Sequence, residues 1–307
     1  MYKFISSAIL TTLTFNLYAL VDYSQSSSAP APAAPMMKSE GSASSKGANV
    51  KKLSAGPSGV GAGISFDSYY ESQKVQGKEQ TGNINIIGFN SLIQTPYPVY
   101  LDLSYWQGNS DAPFISNDSS DQKGNPQVKV GFNWLSFGDK ASSATVDLIA
   151  GYKMAASNST IASSRSDKIV GVQTTKVISE VALGLGYEYY LTGTPSQEEE
   201  MDIGNIGKFT AALMWRVSPD IKMGVEAVNY TIKASDAERD PKLKNDLSFS
   251  YLSPQLALGL SPFVGLELGA KFRVKKIPNA YEYTDTKIYD LRGAFGNSLF
   301  AKLNLSI

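Results

Sequence analysis

The amino-acid sequence predicts an all-β fold, an antiparallel β-barrel that spans a membrane and has about twelve strands. Three observations favour this fold. Apolar and polar residues alternate with a period of two through most of residues 60–307. The alternating segments often run for ten or more residues, whereas the strands of a soluble β-sandwich are usually nearer five or six. Short and long connections between the segments also alternate along the chain.

The composition removes most enzyme classes. The 307 residues include no histidine and no cysteine. The chain therefore cannot build a Ser-His-Asp or Cys-His catalytic group, a histidine- or thiolate-ligated metal site, or a disulfide. The 28 basic side chains equal the 28 acidic ones, and without a basic surplus a nucleic acid is not an expected partner. We expect a protein that is not an enzyme and that has no cofactor and no metal.

The amino terminus has the features of an export signal followed by a spacer. In residues 1–19, Lys3 precedes a short apolar stretch and Ala19 offers a small residue for cleavage, which predicts a secretory signal peptide. A membrane anchor is the alternative, but the stretch is short for a span and is diluted by hydroxyl side chains. Residues 20–59 are rich in Pro, Ala, Ser and Gly, which predicts a flexible linker. The barrel is expected over residues 60–307.

The segment 263–276 shows the alternation most clearly. Successive side chains of a β-strand point to opposite faces, so its residues fall into two sets. One set is apolar, namely Val264, Leu266, Leu268, Ala270, Phe272 and Val274. The other set is charged or glycine, namely Gly265, Glu267, Gly269, Lys271, Arg273 and Lys275. The same pattern recurs in residues 127–134, 144–154, 181–191 and 208–217.

The connections allow the strands to be counted. Long links are predicted at residues 71–81, 108–126, 192–205, 234–246 and 277–293, with short links between them. Counting from both ends leaves one strand missing, and the segment 167–173 is the candidate for it. Including this segment gives about twelve strands, with both termini at the end of the short turns; roughly ten or fourteen strands are the alternatives.

Aromatic residues stand near the predicted strand ends. Membrane barrels place such residues in girdles at the two lipid–water interfaces. The clusters that fit this pattern contain Tyr69, Tyr70, Tyr105, Trp106, Trp134, Tyr187, Tyr189, Tyr190 and Trp215.

With these features the chain resembles a Gram-negative outer-membrane β-barrel protein of the porin or transporter kind. The apolar face of its final strand consists of Leu299, Ala301, Leu303, Leu305 and Ile307. Members of this group usually end in Phe, with Gly a few residues earlier; here Ile307 and Lys302 stand in those places, so the subfamily is not assigned. The resemblance implies an outer-membrane location, contact with lipid and lipopolysaccharide, and insertion by the barrel-assembly machinery.

The polar face of the predicted strands carries both signs of charge and would line the lumen. A charged constriction is expected from Lys208, Arg216, Glu267, Lys271 and Arg273. In one interpretation the charges select small polar solutes in a narrow, passive channel. In the other, ion pairs plug the barrel, which then has a structural or surface-interaction role through its extracellular loops. Glycines on the same face leave space and favour the channel slightly, namely Gly184, Gly186, Gly265 and Gly269.

Two of the predicted loops are acidic. The link 192–205 contains Glu198, Glu199 and Glu200, and the link 108–126 contains several aspartates. Calcium takes several oxygen ligands, so such carboxylates could bridge a divalent cation. A run of glutamates in a loop is more often simply solvated, and this is the preferred interpretation.

Overall fold

The computed structural model describes residues 59–75, 78–112, 122–138, 142–156, 159, 161–277, 280–291, 293–294 and 296–306. The predicted signal peptide lies outside the described residues, and so does the predicted linker except for its last position. Within the described ranges, no helix is long and apolar enough to cross a membrane.

The described residues contain thirteen strands, which form one antiparallel sheet. They are β1 Gly59–Val75, β2 Lys78–Gln94, β3 Val99–Ser110, β4 Gln122–Lys123, β5 Gln127–Gly138, β6 Ser143–Lys153, β7 Asp167–Ile178, β8 Val181–Thr192, β9 Ile206–Ser218, β10 Ile221–Ile232, β11 Leu247–Ser261, β12 Val264–Lys275 and β13 Asn297–Ser306. A 3-10 helix spans Ala280–Thr286. Consecutive wall strands pair with each other along the chain, as expected of a meander built from hairpins.

The sheet closes into a barrel of twelve strands. Closure comes from β1, which pairs with both β2 and β13, and from β2, which also pairs with β3. The two residues of β4 pair with Gln107 and Gly108 of β3, just beyond Ser104, which is opposite the first residue of β5. β4 therefore continues the line of β5 along β3 and does not add a wall strand. The predicted all-β fold and the count of twelve strands are confirmed, and a closed wall leaves no free sheet edge.

The segment that completes the count is a wall strand. Residues 167–173, predicted as the missing strand, form the first part of β7 and pair with both β6 and β8. One predicted link is wrong. Residues 71–81 were expected to form a long loop, but β1 and β2 stay paired from Glu71 opposite Gly82 to Val75 opposite Lys78. The polar composition of this hairpin resembles that of a loop, while its backbone continues the ladder.

The alternation of side chains matches the barrel wall. On β12, Leu268 and Phe272 are 40% and 51% exposed and point outward, while Glu267 and Lys271 are 5% and 0% exposed and point inward. The same division holds on β9, where Phe209 and Trp215 are exposed and Lys208 is buried. An apolar outer surface combined with a charged inner surface is the reverse of a soluble sandwich and is the arrangement of a transmembrane barrel.

The two ends of the barrel carry different connections. The end called here the short-turn end has the links 95–98, 139–142, 179–180, 219–220 and 262–263. The opposite, long-loop end has the links 76–77, 111–126, 154–166, 193–205, 233–246 and 276–296. The link 154–166 was not predicted as a separate long loop, because its serines and alanines could not be divided from the neighbouring strands by pattern alone.

Several aromatic residues expected in the interfacial girdles lie inside the barrel. Trp106 is 0% exposed, and Tyr69 and Tyr190 are buried, whereas their neighbours Tyr70 and Tyr187 are exposed outward. The period of two explains this result, because Trp106 shares its face with Asp102 and Ser104. An aromatic pair at a strand end therefore supplies one residue to the girdle and one to the interior.

Candidate functional site: the barrel interior

Charged side chains form a belt around the middle of the inner wall. The charged belt, as the term is used here, consists of Asp67, Asp102, Lys129, Glu188, Lys208, Glu267, Lys271 and Lys302. Positive and negative members face each other across neighbouring strands: Asp102 is opposite Lys129, Glu188 is opposite Lys208, and Glu267 is opposite Lys302. Opposite charges directly across a ladder attract each other, and the four carboxylates of the belt balance its four ammonium groups.

Two ion pairs of the belt join strands that are not neighbours in the wall. Lys129 Nζ on β5 lies 2.9 Å from Glu188 Oε2 on β8, although β6 and β7 separate these strands. Lys271 on β12 forms an ion pair with Asp67 on β1, across the intervening β13. The side chains of both pairs are at most 7% exposed. These two pairs are therefore covered by neighbouring side chains.

Glycines on the intervening strands make room for the first of these ion pairs. Gly151 on β6 lies beside Lys129, and Gly171 on β7 lies beside Glu188. A Cβ at Gly151 would be 2.8 Å from Lys129 Cγ, and a Cβ at Gly171 would be 3.0 Å from Glu188 Cγ. The space left by an inward glycine is therefore used by a neighbouring side chain. The same holds for Gly269, whose space is taken by the ring of Phe300 at 2.5 Å.

Lys271 is held by aromatic rings as well as by its carboxylate. Its Nζ lies 4.4 Å from the ring centroid of Phe300 and 5.8 Å from that of Tyr69. An ammonium over an aromatic face is attracted by the ring quadrupole, and the attraction is stronger when both groups are desolvated. Lys271 is thus fixed in place by an anion and by a ring, which suits a structural cation more than a mobile one.

The five residues predicted for a constriction lie in different parts of the interior. Lys271, Glu267 and Lys208 belong to the charged belt, but Lys208 is beside Glu188 and away from β12. Arg216 pairs with Glu180 in the β7–β8 turn, where its side chain is 27% exposed. This pair holds the pKa of the Glu180 carboxyl below its usual value, chiefly through the hydrogen bond from Arg216. Arg273 is half-buried, near the long-loop end.

Above the belt, residues of four long loops fill the barrel. Ile161, Ile203 and Ile288 are at most 2% exposed and pack into one cluster with wall residues such as Ile86 and Phe249. The rings of Tyr230 and Phe249 stack within this cluster at 4.9 Å. Burial also raises the pKa of the Tyr289 hydroxyl above its usual value. The loops therefore form an apolar plug, defined here as the loop residues of this cluster.

Ion pairs also tie the loops of the plug to the wall. We call these residues the loop clasp: Lys153, Arg165, Asp167, Glu200 and Asp290. Lys153 Nζ lies 2.8 Å from Asp167 Oδ2 and 3.0 Å from Asp290 Oδ2. Arg165 places Nε 3.3 Å from Asp167 Oδ1 and Nη1 3.3 Å from Glu200 Oε1. All five side chains are at most 9% exposed, so their charges depend on one another.

The clasp joins three loops to two strands. Lys153 ends β6 and Asp167 begins β7, while Arg165 is in the link 154–166, Glu200 in the link 193–205 and Asp290 in the link 276–296. Hydrogen bonds strengthen the same junction. Arg165 Nη1 donates to the carbonyl of Thr286 at 2.9 Å, and Glu200 accepts from Ser163 Oγ and from the backbone N–H of Ser164 at 2.5 and 2.7 Å.

A lysine between the loops adds a further link. Lys287 Nζ donates to the carbonyl of Ser159 at 2.8 Å and to Gln197 Oε1 at 3.0 Å. Burial lowers the pKa of the Lys287 ammonium, against the pull of nearby carboxylates such as Glu200. The same three loops are thus connected at a second point.

The expectation of a wholly solvated glutamate run needs correction at one position. Glu198 and Glu199 are exposed, but Glu200 is 0% exposed inside the clasp. Among the described residues, no group of three or more acidic side chains is placed to hold a metal ion. Nothing in the sequence distinguishes Glu200 from its two neighbours, because its partner Arg165 is 35 residues away and on another loop.

Comparison with solved structures agrees with the architecture. An outer membrane channel of the COG4313 group from Pseudomonas putida F1 matches with a TM-score of 0.59 and 8% identity, over 86% of this chain and 100% of that chain. The NanC porin matches with a TM-score of 0.47 and 10% identity, over 79% and 98% of the two chains. Outer membrane phospholipase A from Escherichia coli matches with a TM-score of 0.39 and 11% identity, over 79% and 89%.

The chain has the fold of an outer-membrane β-barrel. The first of these matches carries this conclusion, and at 8% identity it concerns the fold alone. No protein-family model and no curated protein sequence matches the chain.

Proposed function

We propose that the protein is a bacterial outer-membrane channel for small polar solutes, and that the structure described here is its closed state. The observation that carries this proposal is the way in which the lumen is closed. Loop residues complete the closure at the long-loop end, and loops can leave a barrel without unfolding its wall. Wall side chains alone would make a permanent plug.

The short-turn half of the interior supports a channel. A small apolar cluster around Met214 is buried there, but Lys222 and Thr175 keep part of their surface accessible. A Cβ at Gly265 would make only ordinary contacts, the nearest at 3.7 Å. Barrels with about eight strands are filled by side chains, whereas those with sixteen or more hold an open pore. Twelve strands leave an interior that can be either open or filled, which is what a gated channel needs.

The preference for small polar solutes is drawn from the charged belt. Four carboxylates and four ammonium groups of equal total charge line a narrow zone. Such a zone offers partners to both signs of charge and repels neither strongly. The outer-membrane location is supported by the fold and by the exposed apolar outer face. The absence of histidine and cysteine from the sequence gives no support to an enzyme.

Planar bilayer recordings test the proposal. The purified barrel should give discrete conductance steps, rare in the wild type and more frequent when the plug is shortened by replacing residues 280–291 with a Gly-Ser linker. Conductance absent from both proteins, although each folds as judged by a gel mobility that changes on boiling, would contradict a channel.

A plugged barrel that acts through its external loops is the second candidate. The buried ion pairs of Lys129 with Glu188 and Lys271 with Asp67 favour it, because they hold inner side chains of non-neighbouring strands together. If this function is correct, neither protein in the recordings conducts, and loss of the loops abolishes surface interaction instead.

A further inference from the structure

We infer that the loop clasp is the gate of the barrel, so that breaking its Arg165–Glu200 and Lys153–Asp290 ion pairs releases the plug. This inference rests on the proposed channel function, and it names the residues that regulate the lumen. It follows from three features of the clasp: where its members are attached, how they are buried, and how their charges are divided between wall and loops.

The clasp connects two strand ends, which are fixed in the wall, to two long loops, which can move away from it. Lys153 and Asp167 are fixed, because they lie at paired ends of β6 and β7, where they are opposite each other in the ladder. Arg165 is two residues before Asp167, so its position is tied to the same strand end. Glu200 and Asp290 have no such support from the wall, since each is within a long loop. Their ion pairs add to the apolar contacts that hold these loops against the wall.

Burial makes these two contacts decisive for the closed state. A buried charge that loses its partner is strongly unfavourable, because the low-dielectric interior no longer compensates its desolvation. The side chains of Arg165 and Glu200 are both 0% exposed. The closed state is therefore stable only while both loop carboxylates remain in place. In an open state the same groups would be hydrated, and the penalty would disappear.

The charges of the clasp are divided unequally between the wall and the loops. The part of the clasp fixed to the wall, Lys153, Arg165 and Asp167, has two positive charges and one negative charge. The loops bring one further carboxylate each. Removing the charge of Glu200 or Asp290 thus leaves Arg165 or Lys153 with one carboxylate fewer. The remaining loop contacts must then offset the free-energy cost of keeping that cation buried. An apolar plug alone does not offset that cost, so the equilibrium shifts toward the open state.

Neutralising the loop carboxylates tests the gate. In the variants Glu200→Gln and Asp290→Asn, an amide keeps the shape of the side chain but removes its charge. In Glu200→Gln, the new NH₂ group would also oppose either the Ser164 N–H or the Arg165 guanidinium, since these bind different oxygens of Glu200. We expect the open probability in planar bilayers to rise about tenfold or more in each variant. Asp246→Asn is the matched control, because Asp246 forms an exposed ion pair with Lys233 outside the clasp; its open probability should equal that of the wild type.

Failure of the gate and failure of the channel give different results. If the variants behave as the wild type while the protein with residues 280–291 replaced conducts freely, the clasp is not the gate, although the channel function stands. If that protein does not conduct either, the channel function is wrong, and the gate is wrong with it.

Thiol labelling follows the movement of the plug without any current. The chain has no cysteine, so Ala162→Cys introduces a single thiol at a position that is 1% exposed. A water-soluble maleimide should label it about tenfold faster when Glu200→Gln is also present, and Ala155→Cys, at an exposed position, should be labelled quickly in both backgrounds. Equal, slow labelling of the Ala162 position in both backgrounds would overturn the gate even if a variant inserts poorly into bilayers.

Discussion

At the long-loop end of the barrel, Ile86 and Phe249 are fully buried against loop residues, whereas at the short-turn end Lys222 and Thr175 keep part of their surface accessible. The same wall strands line both ends. The difference arises because the long loops fold back into the lumen and the short turns, with two to four residues each, are too short to do so. Loop length therefore decides which end of the wall receives the plug, while the short-turn end has a small buried cluster of wall residues around Met214.

The largest expected effect compares two inward lysines. Lys271→Met should lower the free energy of unfolding by about 3–5 kcal/mol, because Asp67 then stays buried without the cation that faces it. Lys222→Met removes the same charge at the more accessible short-turn end and should change the free energy of unfolding by less than about 0.5 kcal/mol. Urea titration of gel mobility measures both.

The double variant Lys271→Met/Asp67→Leu is the control for this prediction. Replacing a buried ion pair by apolar side chains is often neutral, so most of the lost stability should return. Equal destabilisation by Lys271→Met and Lys222→Met would mean that the two ends of the lumen are equally wet.

A smaller effect is expected from two inward glycines. Gly171→Ala places a Cβ 2.8 Å from the Tyr187 carbonyl and 3.0 Å from Glu188 Cγ, which disturbs the Lys129–Glu188 ion pair and should cost about 1–3 kcal/mol. Gly265→Ala meets only ordinary contacts and should leave the unfolding free energy close to that of the wild type. Thermal loss of the folded gel band measures the difference; a more harmful Gly265→Ala would show that the short-turn half is also tightly packed.

The smallest effect concerns an exposed pair at the loop rim. The pKa of Asp246 is held below its usual value by the hydrogen bond from Lys233 and, next, by the N–H of Ala234. Lys233→Met should raise this pKa toward its usual value, with the Ala234 contribution retained. A carboxyl carbon NMR titration in micelles measures the change.

The lowered pKa of Asp246 also determines how its ion pair affects stability as the pH changes. A depressed carboxyl pKa adds stability above the unfolded-state pKa and loses it as the pH falls through the folded-state pKa. Since both side chains are about half exposed, the loss on acidification should be close to the limit of measurement. A large acid-induced loss of stability that disappears in Lys233→Met would contradict this view of the rim.

Much of the wall could be predicted, and little of the plug. The period of two assigned Glu267, Lys271 and Lys208 to the inner face correctly, because the orientation of a strand side chain depends only on its parity along the strand. The same rule, applied strictly, would also have placed Trp106 inside. The loop clasp was beyond reach, since Arg165 and Glu200 belong to different loops and meet only when both fold into the lumen.

The sequence by itself determined the membrane-facing and lumen-facing surfaces, the strand count and the mixture of charges inside, because each of these depends on local alternation and on the length of connections. Only the tertiary structure decided that Lys129 and Lys271 pair with carboxylates of non-neighbouring strands, that the space beside Gly151 and Gly269 is occupied, and that Glu200 is buried. These contacts join residues that are distant along the chain. Their formation depends on the closure of the barrel and on the path of the long loops, and neither leaves a periodic signal in the sequence.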